Sequence, residues 1–282
     1  MTPILDTHLH LVDRNRISYP WIEGAGPLER DWSHAEYATE ASQCGITRAL
    51  HMEVDVAPDM IDAETDFIES LPFRDDVPIA GIISSCRPGA DGFAAEIERA
   101  QARASVVGFR RVLHVVPDEV SQTETFRQNI RRLGPAGIPF DICVLARQLP
   151  LAMALADAAP DTQFVLDHCG VPDIAGDAFE TWSRDIASLA RRDNVVVKVS
   201  GLPAYAKEGW QAQDLRRWTD HIVQSFGTDR MVWGSDWFVC TLGGGLTKWV
   251  DATRQIFAEF SDSECRAVFS ANAERIWSLP SA

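Results

Sequence analysis

The stretch Ile4-Leu5-Asp6-Thr7-His8-Leu9-His10-Leu11 decides how the rest of the chain is read. It is long enough for one strand, and it ends in two histidines. An open, doubly wound sheet would usually carry a glycine-rich phosphate loop at that point. Seven runs of similar character follow: Ile46–Glu53, Pro78–Ser84, Val106–Leu113, Ile138–Val144, Gln163–His168, Asn194–Ser200 and Arg230–Ser235. Phe164-Val165-Leu166 and Val195-Val196-Val197 are apolar at successive positions, as in strands of a parallel sheet buried on both faces.

Amphipathic stretches separate these runs. Ser33 with Glu36 three residues later forms a capping box, and Asp91 opens a stretch whose Phe93, Ile97 and Ala100 share one helical face. Gly45, Gly134 and Gly227 are expected to end helices in the left-handed conformation. Eight strand–helix units in roughly 250 residues predict an α/β fold, the (β/α)8 TIM barrel, as a single domain over residues 1–282. The segment Asp262–Leu279 is expected to pack on the outside as an extra C-terminal helix. The open sheet is the alternative.

Composition narrows the function classes. The chain has 282 residues, of which 46% are hydrophobic, enough for one large core. Its 26 Lys+Arg against 41 Asp+Glu leave a net charge of −15, which disfavours nucleic acid and anionic lipid as partners. No apolar run is long enough to span a membrane, and the first residues do not resemble a signal peptide. The six cysteines form no CxxC and are read as reduced thiols of a cytoplasmic protein.

In a barrel of this type chemistry sits at the C-terminal ends of the strands. His8 and His10, two apart on one strand, point to the same side and make a grip for a divalent metal. Asp236 ends the eighth strand, which a closed barrel sets beside the first. It is read as a metal ligand or as the base for an attacking water, with a helix N-cap as the alternative. His168 is a further ligand or carbonyl contact, or else a core histidine. Lys198, inside an apolar strand, is read as an inward substrate contact, with an outward stem as the alternative. Of the adjacent Arg110 and Arg111 one must face inward, and the register favours Arg110. Glu53, His51 and His114 are candidates for the mouth, Asp6 for orienting a ligand, and Trp237 and Trp21 for walling the opening. Cys169 and Cys240 are read as small fillers.

These residues resemble a known family. Asp6-Thr7-His8-Leu9-His10, Leu166-Asp167-His168-Cys169-Gly170, Val197-Lys198-Val199-Ser200-Gly201-Leu202 and Gly234-Ser235-Asp236-Trp237-Phe238-Val239-Cys240 are similar to the amidohydrolase superfamily. Within it they resemble the lactone hydrolases of L-fuconolactonase and L-rhamnonolactonase type, as does the closing Asn272-Ala273-Glu274-Arg275-Ile276-Trp277. The resemblance implies a hydrolase opening a cyclic ester, a sugar lactone or a related carboxylated lactone. Asp236 would be general base and acid, and His8, His10, His168 and Asp236 metal ligands, with His168 also catalytic. Arg110, Lys198, Glu53, His114, Trp237 and Trp21 would contact substrate. Zinc is the metal implied, with manganese as an alternative, and some enzymes of this branch work without one. Phe238 stands where those lactonases usually carry proline, and the loop Cys240-Thr241-Leu242-Gly243-Gly244-Gly245 is more glycine-rich than theirs. A metal-dependent decarboxylase of the same superfamily is the second enzymatic reading, and an inactive binding barrel the non-enzymatic one. The expected partner is a small-molecule lactone, and the expected assembly a monomer or homodimer.

Overall fold

The computed structural model describes residues 2–72 and 77–280, so the extreme ends of the single domain read from the sequence, Met1 and Ala282, lie outside the described residues. Eight parallel strands run in order around one sheet: β1 (Ile4–Leu9), β2 (Ile46–Met52), β3 (Ile79–Ser85), β4 (Val106–Val112), β5 (Phe140–Cys143), β6 (Phe164–Leu166), β7 (Val195–Val199) and β8 (Met231–Trp233). The helices between them are α1 (His34–Gln43), α2 (Ile61–Glu69), α3 (Phe93–Gln101), α4 (Glu124–Arg131), α5 (Leu133–Ala136), α6 (Leu149–Ala158), α7 (Phe179–Leu189), α8 (Ala212–Phe226) and α9 (Leu246–Ile256). This is the (β/α)8 barrel. Among the described residues no helix is long and apolar enough to cross a membrane.

The seam between β8 and β1 holds the site together. Its backbone pairing is reduced to a parallel bridge between Leu9 and Trp237, with His10 N donating to Trp237 O at 2.8 Å. Side chains supply the rest. Thr7 Oγ1 donates to Trp233 O, and Asp6 Oδ1 accepts from His8 N at 3.0 Å and Ser235 N at 2.8 Å. Gly234 is required here, because a Cβ would lie 2.6 Å from the Cβ of His8.

Alternation divides the apolar strand residues between two cores. Phe140, Ile142, Phe164, Leu166, Val195 and Val197 pack outward with the helices. Leu5, Leu50, Ile83, Val165, Val196 and Val232 pack inward. The C-terminal segment corrects one expectation. It forms α10 (Asp262–Arg266), a π-turn over Ala267–Ala271 and α11 (Asn272–Ile276). Its Ala273, Ile276, Trp277 and Leu279 join the inward core and close the barrel floor, instead of packing as one more outer helix.

The capping box at Ser33 and Glu36 is present. Two other boundary readings are corrected. Helix α3 starts after Gly92, at φ +89°, and takes no cap from the side chain of Asp91. Gly134 lies inside α5, where a Cβ would meet Asp161 O at 2.6 Å, and the left-handed end is Gly137.

Candidate active site

The barrel collects the charged strand ends into a nearly closed chamber in which His8, His10, Glu53, Arg110, Asp141, Asp167, His168, Lys198 and Asp236 are all buried. At its centre His8 Nε2 and His10 Nε2 lie 3.1 Å apart, and Asp236 Oδ1 is 3.7 and 3.5 Å from them. His10 is seated by Nδ1 against Met52 O at 2.9 Å, leaving Nε2 to face the centre. His168 Nδ1 contacts Ser200 Oγ at 2.9 Å and lies 4.0 Å from Asp236 Oδ2. Gly201, at φ +69°, admits that imidazole, since a Cβ there would be 2.6 Å from His168 Nδ1. His168 (φ +52°) and Asp236 (φ +56°) themselves adopt the left-handed conformation, a strain of about 1–3 kcal/mol each that concentrates at functional positions.

Arg110 is the inward arginine. Its Nε and Nη2 donate at 2.6 Å to Glu53 Oε1 and Glu53 O, while Nη1 faces His8 Nε2 at 3.3 Å and Asp167 Oδ2 at 3.6 Å. Arg111 is directed away and bonds Asp55. Lys198 donates to Asp141 Oδ2 at 2.5 Å, lies 3.0 Å from Asp167 Oδ1 and 3.3 Å from His8 Nδ1. It faces inward as read from the sequence, but as a cation locked beneath His8 by two carboxyl groups.

Trp237 is also relocated. Asp236 points inward, whereas the Trp237 indole is directed away from the centre, packs on Trp32 and Tyr37 and donates to Glu40. Phe238 takes the position near the mouth. Its ring lies 6.1 Å from that of His10 and is stacked between Trp32 and Trp21. Trp21 is 38% exposed and its Nε1 donates to Val54 O at 2.7 Å. His114 sits at the rim with Nδ1 3.4 Å from Cys143 Sγ. His51 is buried in β2, and neither ring nitrogen has a hydrogen-bond partner. Asp6 acts on the backbone of His8 and Ser235 and accepts from Tyr37 Oη at 2.7 Å, so it does not touch an imidazole nitrogen. Cys169 and Cys240 are buried fillers.

Burial lowers all three central histidines, His10 to about 3, so they are neutral and offer lone pairs at neutral pH. Burial raises Asp236 against the pull of His168 and Arg110. Burial also pushes Asp141 up to about 8, in spite of the Lys198 ammonium. Asp167 goes the other way: burial would raise it, but Lys198 and His8 hold it well below the usual carboxylate range.

The residues fit a divalent metal. His8, His10 and Asp236 offer three ligand atoms within 4.8 Å of one another, as do His8, Asp167 and His168. Two cations, Arg110 and Lys198, face four carboxyl groups, Glu53, Asp141, Asp167 and Asp236. Asp167 is held by ion pairs alone, Oδ1 3.0 Å from Lys198 Nζ and Oδ2 3.6 Å from Arg110 Nη1. With Asp141 mostly protonated at neutral pH, Glu53, Asp167 and Asp236 when ionised still outnumber the two cations, and buried negative charge in excess is costly unless a cation offsets it.

Residues 5–279 match the amidohydrolase family. The chain belongs to that family. An uncharacterized protein of Sinorhizobium fredii is 26% identical over 96% of both chains. An L-fucono-1,5-lactonase of Burkholderia multivorans is 29% identical, with 98% of this chain and 96% of that one aligned. The crystal structure of an amidohydrolase from Burkholderia multivorans with bound zinc superposes with a TM-score of 0.88 at 25% identity, covering 99% of this chain and 100% of that one. This amidohydrolase thus shares both fold and length with its relatives.

Sequence reasoning did not assign roles to Asp141, Asp167, Ser200 and Tyr205. The first three were visible as polar residues at the ends of apolar strands. Tyr205 lies on the loop after β7, and burial together with Asp236 raises its phenol.

Proposed function

We propose that the protein is a lactonase, a hydrolase that opens a sugar lactone or a related carboxylated lactone by attack of water. The observation that carries this reading is the convergence of His8 Nε2, His10 Nε2 and Asp236 Oδ1 within 3.7 Å. The lactonase relative supports the ester class, and the zinc-bound relative supports a metal held by His8, His10 and Asp236, with His168 beside them. When bound, zinc, or manganese in its place, would polarise the lactone carbonyl.

Asp236 takes a proton from the attacking water as the water oxygen bonds to the carbonyl carbon. It returns the proton to the ring oxygen as that C–O bond breaks, leaving a hydroxy acid. Its raised affinity for protons is in the direction a base working near neutral pH requires. Arg110 Nη1, the one guanidinium nitrogen not committed to Glu53, stabilises the oxyanion, a contribution of about 3–4 kcal/mol for a single donor. Trp21, exposed at the mouth and backed by the buried Phe238, presents an apolar wall to the C–H face of the ring. Arg110 and Lys198 are already paired with carboxylates, which favours a neutral, hydroxylated lactone over a carboxylated one.

An indicator assay of acid release from sugar lactones and muconolactone-type lactones, with and without added Zn²⁺ or Mn²⁺, tests the reading. Turnover of at least one lactone is expected. Failure across both sets, with CO₂ released from an aromatic acid, would replace it with decarboxylation.

A further inference from the structure

Trp277 is the one large aromatic that the C-terminal segment inserts into the inward core, together with Leu5, Val165, Val196 and Val232. The segment is latched around the rim of the floor. Arg48 bonds Glu274 and Pro280 O, and Asn272 Nδ2 bonds Thr228 O and Met231 O. Gly108 leaves room for the indole, since a Cβ there would lie 3.0 Å from Trp277 Nε1. Yet that buried Nε1–H has no acceptor, so hydrogen bonding does not explain the presence of an indole. Its ring face does have a partner. The Lys198 ammonium stands over it, 5.5 Å from the centroid, within the range of a cation–π contact.

Lys198 has no other direction to go. Asp141 and Asp167 hold it on one side, His8 Nδ1 lies 3.3 Å away, and the Trp277 ring closes the space below. Asp167 Oδ1 is 3.5 Å from His8 Nδ1 as well as 3.0 Å from Lys198 Nζ. Lys198, which can only donate, competes at 3.3 Å for His8 Nδ1; held on Asp141, Asp167 and the Trp277 face, it leaves Nδ1–H to the Asp167 carboxylate. The Nε2 lone pair of His8 is then left for the centre of the site. Groups that orient a metal-binding histidine through its other nitrogen change metal affinity by 10–100-fold.

We propose that Trp277 is a positioning residue that acts from the barrel floor through Lys198 and Asp167 to set the tautomer and aim of His8. The proposal rests on the metal-assisted reading above. Its test therefore uses Zn²⁺ affinity together with the ring ¹⁵N shifts of His8 in metal-free protein. Trp277→Leu is expected to bind Zn²⁺ about tenfold more weakly, to lose kcat with little change in KM, and to alter the His8 ¹⁵N shifts. Trp277→Phe, which keeps a ring face, is expected to stay within about threefold of the parent on the scale of a cation–π contact. Trp277→Met, similar in volume to leucine but unbranched and better able to fill an irregular gap, carries the same comparison if the leucine variant fails to fold. Ile276→Ala, in the same segment but not against Lys198, is expected to lower the melting temperature while leaving Zn²⁺ affinity unchanged. Parental Zn²⁺ affinity and His8 shifts in Trp277→Leu would overturn the proposal, as would an equal loss in Ile276→Ala. If the parent protein binds no Zn²⁺, the metal-assisted reading fails, and the ¹⁵N shifts decide the positioning role by themselves.

Discussion

Replacing Arg110 by methionine removes a cation without emptying the space its stem occupies. Glu53 would then keep only the Asp55 N–H, at 2.7 Å, as partner for its carboxylate, and Asp167 would lose one of its positive neighbours. Glu53 is fully buried and Arg110 nearly so, so water cannot replace the lost guanidinium. Two unit charges 2.6 Å apart attract by about 6 kcal/mol at an effective dielectric constant of 20. Much of that gain is offset by the cost of desolvating both ions, and the measured loss on breaking such a pair is about 3–5 kcal/mol. Arg110→Met is therefore expected to lose about 3–5 kcal/mol in urea denaturation. Glu53→Gln/Arg110→Met, which removes both charges, is expected to recover about half of the loss or more, giving a coupling energy of about 2 kcal/mol or larger. A loss below about 1 kcal/mol for Arg110→Met, or simple additivity in the cycle, would refute the buried-pair argument. Activity of the stabilised double variant separates the two roles of Arg110. If Nη1 stabilises the oxyanion, kcat stays low after stability has returned, by about 100-fold or more.

Asp236→Asn is isosteric but cannot carry a proton between water and ring oxygen. It is expected to lower kcat by about 100- to 10,000-fold while circular dichroism stays native, and near-normal hydrolysis would remove Asp236 from the mechanism. Glu64 is buried, its Oε1 accepts from Val54 N at 2.8 Å, and burial followed by the Glu53 charge raises it well above 4.5. A carboxyl raised in the folded state is stabilising as the neutral acid. That contribution is complete below the unfolded value and is lost as pH climbs from there through the folded one, at about 1.4 kcal/mol per pH unit. Glu64→Gln should thus flatten the fall of melting temperature between acidic and neutral pH, and an unchanged slope would count against it. Ser33→Ala removes the hydroxyl that accepts from Glu36 N and should cost about 1 kcal/mol in denaturant unfolding, with activity preserved.

The ring of strands was legible in the sequence because each strand is an apolar run that ends in polar residues, and the eight boundaries fall within a few residues of the observed ones. The histidine pair and Asp236 were legible for a related reason. Residues two apart on a strand share a face, and closure of a barrel must bring its last strand to its first. What alternation leaves open is which side of His8 an inward residue meets. Asp141, Asp167 and Lys198 occupy inward positions as surely as Asp236 does, but they cluster on the Nδ1 side of His8, away from the Nε2 that meets His10 and Asp236. Lys198 looks the same in sequence on either side, and only its pairing with two carboxylates tells them apart.

Trp237 was misplaced for the complementary reason. Proximity to Asp236 along the chain suggests a shared site, whereas the backbone turns at Asp236, which is left-handed at φ +56°, and directs Trp237 toward Tyr37 and Trp32. The C-terminal segment shows a third limit. Its apolar stripe would serve equally on the outer wall or under the floor, and the choice depends on whether the inward core is already full. Leu5, Val165, Val196 and Val232 share the floor with Trp277, whose ring stands beneath Lys198. The floor of this barrel is thus continuous with its chemistry. A change in packing at Trp277 reaches His8 through a single ammonium group, so stability and metal affinity are expected to separate only in variants, such as Ile276→Ala, that loosen the floor without moving that ring.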